Sequence, residues 1–158
     1  MKTIMVQMAD EQWTKQAMHL ASSLARNIDG KIALLRLVLA NNPGLLGWGI
    51  APPTAEEQRQ MEEYAAIAED YGVEFCVQPM QYISVDGALA QAAELLNASI
   101  LFAYITQSMI PFWTKFRLWR LLRQLDNCHL YTLDDGQPLS VEVRGATLVI
   151  DGMGEPLA

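Results

Sequence analysis

An apolar run near the middle of the chain reads Ser99-Ile100-Leu101-Phe102-Ala103-Tyr104 and predicts a buried β-strand. It leads through Ile105-Thr106-Gln107-Ser108-Met109-Ile110-Pro111 into a helix predicted over residues 112–125. In a parallel α/β sheet, a strand-to-helix crossing beside the first strand is where ligands usually bind. A phosphate at such a crossing normally needs glycines, which let backbone N–H groups approach it. This connection contains no glycine, so the sequence predicts a fold more strongly than an activity.

Strand-like and helix-like segments alternate on both sides of this run, which indicates a parallel sheet with right-handed crossovers. Helix starts are predicted at Asp10, at the capping-box sequence that opens with Thr54, and at Ser84 or Asp86. Gly30 and Gly72 are predicted to follow the ends of the first two helices. Five strands are predicted: Thr3 to Met8, Ile32 to Leu39, Val73 to Gln78, Ser99 to Tyr104 and Cys128 to Leu133.

The end of the chain has a different pattern. Leu139 to Val143 and Ala146 to Ile150 read as the two strands of a hairpin around Gly145. A lone hairpin is only marginally stable, so this one should add to the main sheet or to the sheet of a partner. We therefore predict an α/β domain over residues 1–135 and a hairpin extension with a tail over residues 136–158.

Composition limits the class of protein. The chain has 158 residues, of which 51% are hydrophobic, enough for one domain with a substantial core. No apolar run has the length of a membrane span, and the N-terminus reads as a strand without a signal-peptide cleavage pattern. Cys76 and Cys128 are interpreted as reduced core cysteines, which predicts a cytoplasmic protein. The net charge of −7 argues against nucleic acid as a partner.

Five β–α units of this length and order resemble the universal stress protein family. The resemblance covers residues 2–133 and lies mainly in Lys2-Thr3-Ile4-Met5-Val6, Ser84-Val85-Asp86-Gly87-Ala88-Leu89 and Asn127-Cys128-His129-Leu130. In the last stretch Asn127 and His129 stand where the family has prolines. The resemblance implies a five-stranded parallel sheet of order 3-2-1-4-5 between four helices, and a dimer formed through the last strands.

Many members of this family bind ATP with an acidic residue after the first strand and a G-x2-G-x9-G-(S/T) loop after the fourth. The resemblance places the loop positions at Ala103, Thr106, Phe116 and Arg117, none of which fits the pattern. The acidic position falls on Ala9 or, with a shift of one residue, on Asp10. ATP binding is therefore not transferred to this chain, and no cofactor is predicted. The candidate ligand-binding residues are Ala9, Asp10, Ala103, Thr106 and Ser108.

The Thr106 and Ser108 hydroxyls have two interpretations: they could bind an anion without glycine, or they could cap the fourth helix. That helix is predicted to have a core face formed by Leu118, Leu121, Leu122 and Leu125. Its opposite face is both aromatic and basic, and its members are candidate partner-binding residues: Trp113, Phe116, Arg117, Arg120 and Arg123.

Two interpretations of this aromatic-basic face remain. The arginines could cover the aromatics and pair with the acidic second helix or a sister subunit. Alternatively, the face could bind an anionic ligand, an acidic protein partner or a membrane surface, of which the membrane is the least favoured. The apolar loop from Asn41 to Pro53 is likewise open to interpretation as a lid over the sheet or as packing on a helix.

Other polar features have structural explanations. The carboxylates of the second helix are interpreted as a solvated face, and His19 as an exposed helix residue. Cys128 and His129 are not expected to share a metal, because adjacent strand residues point to opposite faces. No Ser-His-Asp or Cys-His catalytic arrangement is recognised in the sequence.

The sequence therefore leads to one main hypothesis: a non-enzymatic, cytoplasmic stress-response or regulatory domain that acts as a homodimer through its fifth strand and hairpin. The alternative is a small-molecule or nucleotide-binding protein with weak or no hydrolysis, using Asp10 and the crevice between the first and fourth strands. A third reading is a peripheral adaptor that docks through the aromatic-basic face.

Overall fold

The structure is a computed structural model that describes residues 1–40, 50–104, 120–125, 127–134, 137–144 and 147–152. The helices are α1 (Glu11–Ile28), α2 (Ala55–Asp70) and α3 (Val85–Leu95), and residues 120–124 are also helical. The strands are β1 (Lys2–Gln7), β2 (Gly30–Leu39), β3 (Phe75–Tyr82), β4 (Ala98–Phe102), β5 (His129–Asp134), β6 (Gln137–Arg144) and β7 (Thr147–Gly152).

These strands form one sheet in the order β3-β2-β1-β4-β5-β6-β7. The first five are parallel, which confirms the predicted order 3-2-1-4-5. The chain runs outward from β1 to β3 on one side and returns to β4 on the other side of β1. The carboxyl ends of β1 and β4 therefore meet where the strand order reverses, the usual place for a ligand in such a sheet.

The C-terminal hairpin extends the chain's own sheet. β6 pairs antiparallel with β5 from Leu130↔Val141 to Asp134↔Gln137, and β7 pairs antiparallel with β6. The expectation that the fifth strand lies at the edge of the sheet is wrong, because β5 has β4 on one side and β6 on the other. The edge on this side of the described sheet is β7.

Two apolar cores lie on opposite faces of the sheet because neighbouring strand residues point to opposite sides. One face packs against α1 and α2 through residues such as Ile4, Val6, Tyr64 and Phe102. The other face packs against α3 and Leu121, through Met5, Leu35, Leu89, Leu101 and Leu130. Leu122 and Leu125 pack against this second core, as the predicted leucine face requires, while Leu118 lies outside the described residues.

Several predicted boundaries were wrong. β3 begins at Phe75 and continues to Tyr82, because it pairs with β2 as far as Leu39↔Tyr82. Pro79 is tolerated there because β3 is an edge strand. The first helix ends at Ile28, Asp29 is its C-cap with φ of 54°, and Gly30 already belongs to β2. A Cβ on Gly30 would lie 3.1 Å from the Lys2 carbonyl oxygen, so glycine permits the close approach of β1 and β2.

The other strands differ from prediction by one or two residues at one or both ends. β1 is Lys2–Gln7 and β4 ends at Phe102, so Ala103 and Tyr104 follow the strand. The hairpin strands are longer than predicted. β6 and β7 pair with each other from Leu139↔Gly152 to Arg144↔Thr147, and the pairing of β6 with β5 extends to Gln137.

The predicted helix caps are confirmed in detail. Asp10, Thr54 and Ser84 are N-caps, and Ser84 rather than Asp86 caps α3. Thr54 and Glu57 form both hydrogen bonds of a capping box. Gly72 follows α2 with φ of +71°.

The interpretation of Cys76 as a core residue was wrong, whereas Cys128 packs against the second core. Both are free thiols, but Cys76 is exposed because it lies on the edge strand β3. Cys128 is half-buried just before β5, and its burial raises the pKa of the thiol to about 11. His19 is exposed as predicted, with Nδ1 lying 3.3 Å from the Tyr71 hydroxyl.

Candidate functional site

The candidate site lies at the carboxyl ends of β1 and β4, where the strand order reverses. Val6 pairs with Phe102, so the two strands end side by side. A hydrogen bond joins the end of β1 to the segment that follows β4, because the backbone N–H of Tyr104 donates to Oε1 of Gln7 at 2.9 Å. Gln7 is buried, so its side chain fixes the start of the segment that follows β4.

The crossing after β1 is fixed by Thr14, a fully buried residue in the first turn of α1. Its hydroxyl accepts a hydrogen bond from the Ala9 N–H at 3.0 Å and donates to the Asp10 carbonyl oxygen at 2.8 Å. The Asp10 carboxylate accepts from the Trp13 N–H at 3.2 Å and caps α1. The Thr14 hydroxyl thus engages backbone groups that precede the helix, and the Asp10 carboxylate engages a backbone N–H in its first turn.

Aromatic rings pack together near the carboxyl ends of β1 and β4. The rings of Trp13 and Tyr104 meet edge to face, with centroids 5.3 Å apart. Phe102 stacks on Tyr131 of β5 with centroids 5.5 Å apart. Trp13 is mostly buried, so its contact with Tyr104 packs α1 against the residues that follow β4.

These contacts determine what the described part of the site can do chemically. An anion at a helix N-terminus is bound by backbone N–H groups that lack another partner. Here the N–H groups of Ala9, Trp13 and Tyr104 all donate to side chains of the chain itself. The arrangement orders the two crossings, and these three donors are occupied without a ligand.

A buried cation lies further along the same edge of the sheet. Arg36 of β2 is only 6% exposed, although it carries a full charge. Its Nε donates to Oε2 of Glu57 at 3.1 Å, and its Nη1 donates to the Ala51 carbonyl oxygen at 2.9 Å. Arg36 therefore connects the sheet to the first turn of α2 and to the segment that leads into it.

Glu57 has two roles at this position. Its Oε1 accepts from the Thr54 N–H at 3.1 Å in the capping box, while its Oε2 accepts from Arg36. Hydrogen bonding to the Arg36 guanidinium lowers the pKa of the Glu57 carboxyl below its ordinary value. The carboxylate is therefore ionised at neutral pH, as the buried guanidinium requires.

The acidic face of α2 is more than a solvated surface. Arg59 pairs with Glu56, Glu63 and Glu11, and Lys15 pairs with Glu11 and Glu63. The pairs of Arg59 with Glu11 and of Lys15 with Glu63 join α1 to α2. All these groups are partly exposed, so each pair contributes little on its own.

The structure brings together only some of the residues predicted for the site. Ala9, Asp10 and Ala103 lie at the meeting point of β1 and β4, where Asp10 is exposed and Ala103 is buried. Arg120 and Arg123 are exposed on the helical segment 120–124. The remaining predicted residues, and most of the apolar loop, lie outside the described residues: Thr106, Ser108, Trp113, Phe116, Arg117 and residues 41–49.

Sequence reasoning missed Gln7, Thr14 and the Arg36–Glu57 pair. Gln7 had a detectable signal, because it is a polar residue at the end of an apolar strand at a predicted crossing. Arg36 had one as well, as the charged residue within the apolar run from Ile32 to Leu39. Thr14 carried no such signal, since threonine in the first turn of a helix is common.

Two further features are absent from the described ranges of the chain. Its His, Cys, Asp and Glu side chains form no group of three or more that could hold a metal ion. Among the helices in the described ranges, none has both the length and the hydropathy needed to cross a bilayer.

Solved structures with the same architecture are known, although no family model and no curated protein matches the chain. A universal stress protein in complex with cAMP is 13% identical with a TM-score of 0.61, and the match covers 84% of this chain and 97% of that one. A protein of the universal stress protein family from Burkholderia pseudomallei is 20% identical with a TM-score of 0.58, covering 84% and 95%.

A third similar structure is the universal stress protein from Archaeoglobus fulgidus in complex with dAMP. It is 11% identical with a TM-score of 0.56, and the match covers 85% of this chain and 98% of that one. Structures of such low sequence identity inform about the fold alone. Their similarity confirms that this chain resembles the universal stress protein family in fold, as the sequence predicts. The chain has the fold of the universal stress proteins.

Proposed function

We propose that this chain is a non-enzymatic stress-response domain that regulates by binding and works as a cytoplasmic homodimer. In this proposal the crevice between β1 and β4 does not hold ATP in the manner of family members with the glycine loop. One observation carries the proposal: the N–H groups of Ala9, Trp13 and Tyr104 donate to Thr14, Asp10 and Gln7. A phosphate would have to displace these internal partners to use the donors.

We expect titration of ATP and Mg²⁺ into the full chain, followed by calorimetry, to give no low-micromolar dissociation constant. The occupied donors and the absence of glycines in residues 105–111 are the physical reasons. The measurement is repeated with Asp10→Ala, which removes the candidate acidic contact. Tight ATP binding by the wild type that this substitution abolishes would contradict the proposal.

A second candidate function is nucleotide binding without the glycine loop. It is favoured by two of the similar structures, which hold cAMP and dAMP. An adenine base and ribose could contact the exposed Asp10 carboxylate and the half-buried Tyr104 without phosphate binding by the occupied N–H groups. The same calorimetry with cAMP and AMP distinguishes the two candidate functions. Tight binding of cAMP or AMP together with weak binding of ATP would support nucleotide binding without the glycine loop.

The proposed homodimer uses the C-terminal hairpin. β7 is the edge of the described sheet beyond β5, and an edge strand has unpaired backbone groups that can pair with a second copy. The sequence Thr147-Leu148-Val149-Ile150 is rich in β-branched residues without proline, which favours strand pairing. This revises the hypothesis from the sequence, since β5 is already paired on both sides.

We expect truncation after Asp135 to weaken or abolish the dimer in sedimentation experiments. Truncation after Gly152 is the matched control, because it keeps both hairpin strands and removes only residues 153–158. The control should sediment as the full chain does. If the chain truncated after Asp135 stays an equally tight dimer, β5 or another surface forms the interface and the hairpin does not.

A further inference from the structure

A polar cavity of about 290 Å³ lies at the amino-terminal edge of the sheet, the edge opposite the β1–β4 crevice. It is formed between the end of α3 and the end of the helical segment 120–124, where each helix turns back into a strand. The turns lie side by side because β4 and β5 pair in parallel. The function proposed above does not use this cavity.

Carboxamide groups and one carboxylate surround the cavity. Asn97 and Asn127 occupy the two turns with φ of 50° and 57°, a left-handed conformation that asparagine tolerates better than most residues. Gln124 and Glu94 complete the polar lining. Among the described residues that line the cavity, none is basic.

The end of α3 adds to the negative character of this place. The carboxyl end of a helix carries a partial negative charge, which a basic residue in the last turn usually offsets. The last turn of α3 contains Glu94 and no basic residue. The helical segment 120–124 also ends at the cavity, but its last turn contains Arg123, which offsets the partial charge there.

We propose that this cavity binds a small organic cation with a primary ammonium group. An ammonium has three N–H donors and no acceptor, which matches a lining of carboxylate and carboxamide oxygens. A bare divalent ion fits less well, because it prefers several carboxylate or carbonyl oxygens around one centre and the described lining supplies one carboxylate. The volume is at the small end of ligand pockets, which run from roughly 300 to 1,000 Å³.

The test uses putrescine, a short aliphatic diammonium, titrated into the full chain at low ionic strength and followed by calorimetry. Butanediol, the uncharged diol of the same length, is the ligand control. We expect putrescine to bind and butanediol not to bind. We also expect Glu94→Gln to weaken putrescine binding about tenfold, since it removes the charge-assisted hydrogen bond.

Glu69→Gln is the matched protein control. Glu69 is likewise an exposed carboxylate in the last turn of a helix without a basic residue there, but it does not line this cavity. It should leave the affinity for putrescine unchanged. Asn97→Gly gives an independent reading, because glycine keeps the positive φ and removes only the carboxamide, so the chain should fold and bind putrescine more weakly.

Three results would overturn the proposal. The first is no binding of putrescine by the wild type, and the second is equal binding of putrescine and butanediol. The third is an equal loss of affinity in Glu94→Gln and Glu69→Gln, which would mean that the diammonium is attracted by the acidic surface as a whole.

Discussion

Glu57→Ala is expected to lower the free energy of unfolding by about 2–3 kcal/mol, because it leaves the Arg36 guanidinium buried without its carboxylate. Removing one partner of a fully buried ion pair costs more, but Glu57 itself is 34% exposed, so water can replace part of the interaction. The substitution also removes half of the capping box at Thr54. Denaturant unfolding followed by far-UV circular dichroism measures the change.

Glu56→Ala is the matched control for this experiment. Glu56 is the preceding residue of the same helix turn, and it pairs with the exposed Arg59 instead of a buried cation. Its substitution should change the stability far less. Equal losses in the two variants would contradict the view that the buried guanidinium makes Glu57 important, and would leave a general effect on α2 as the explanation.

Replacing both partners gives a further check. Arg36→Met combined with Glu57→Gln removes both charges and keeps side chains of similar length. Because no unpaired charge is then buried, the double variant should recover much of the stability that Glu57→Ala loses. A double variant as unstable as Glu57→Ala would contradict this account.

The same pair predicts a pH dependence. Hydrogen bonding to Arg36 lowers the folded-state pKa of Glu57 below its ordinary value of 4.5. The stabilisation is complete above the unfolded-state pKa and is lost as the pH falls through the lower folded-state value. Unfolding measured below pH 4.5 should therefore show a loss of stability that is smaller in Glu57→Gln, which has no titrating group at this position.

Thr14→Val is expected to lower the free energy of unfolding by about 1–3 kcal/mol. Valine has nearly the same shape, but it cannot accept from the Ala9 N–H or donate to the Asp10 carbonyl oxygen. The Asp10 carbonyl oxygen keeps a second partner, because it also accepts from the Thr14 N–H at 2.8 Å. The main loss is therefore the unpaired N–H of Ala9 in a partly buried place.

Thr14→Ser is the matched control, since it keeps the hydroxyl and removes only a methyl group. It should lose clearly less stability than Thr14→Val in the same denaturant titration. Amide hydrogen exchange of Ala9 adds a local measurement, because the freed N–H should exchange faster in Thr14→Val and not in Thr14→Ser. Equal losses in both variants would mean that packing of the methyl group, and not the hydrogen bonds, matters at this position.

The amino-acid sequence by itself determined the order of the elements and the fold. The apolar runs at β1, β2 and β4 can be read directly because these strands are covered on both faces. The caps at Asp10, Thr54 and Ser84 were also predictable, since a helix N-cap is a contact between residues three apart in sequence. Local interactions of this kind need no knowledge of the rest of the chain.

Only the tertiary structure decided how the site is closed and where the sheet ends. The bond from Tyr104 to Gln7 joins residues 97 positions apart, and the pair of Arg36 and Glu57 joins residues 21 apart. Whether β5 or β7 forms the edge of the sheet likewise depends on whether the hairpin pairs with β5. The periodicity of the sequence does not specify this pairing. Local sequence fixes backbone conformation over a few residues, whereas the partner of a buried polar group depends on packing between elements distant along the chain.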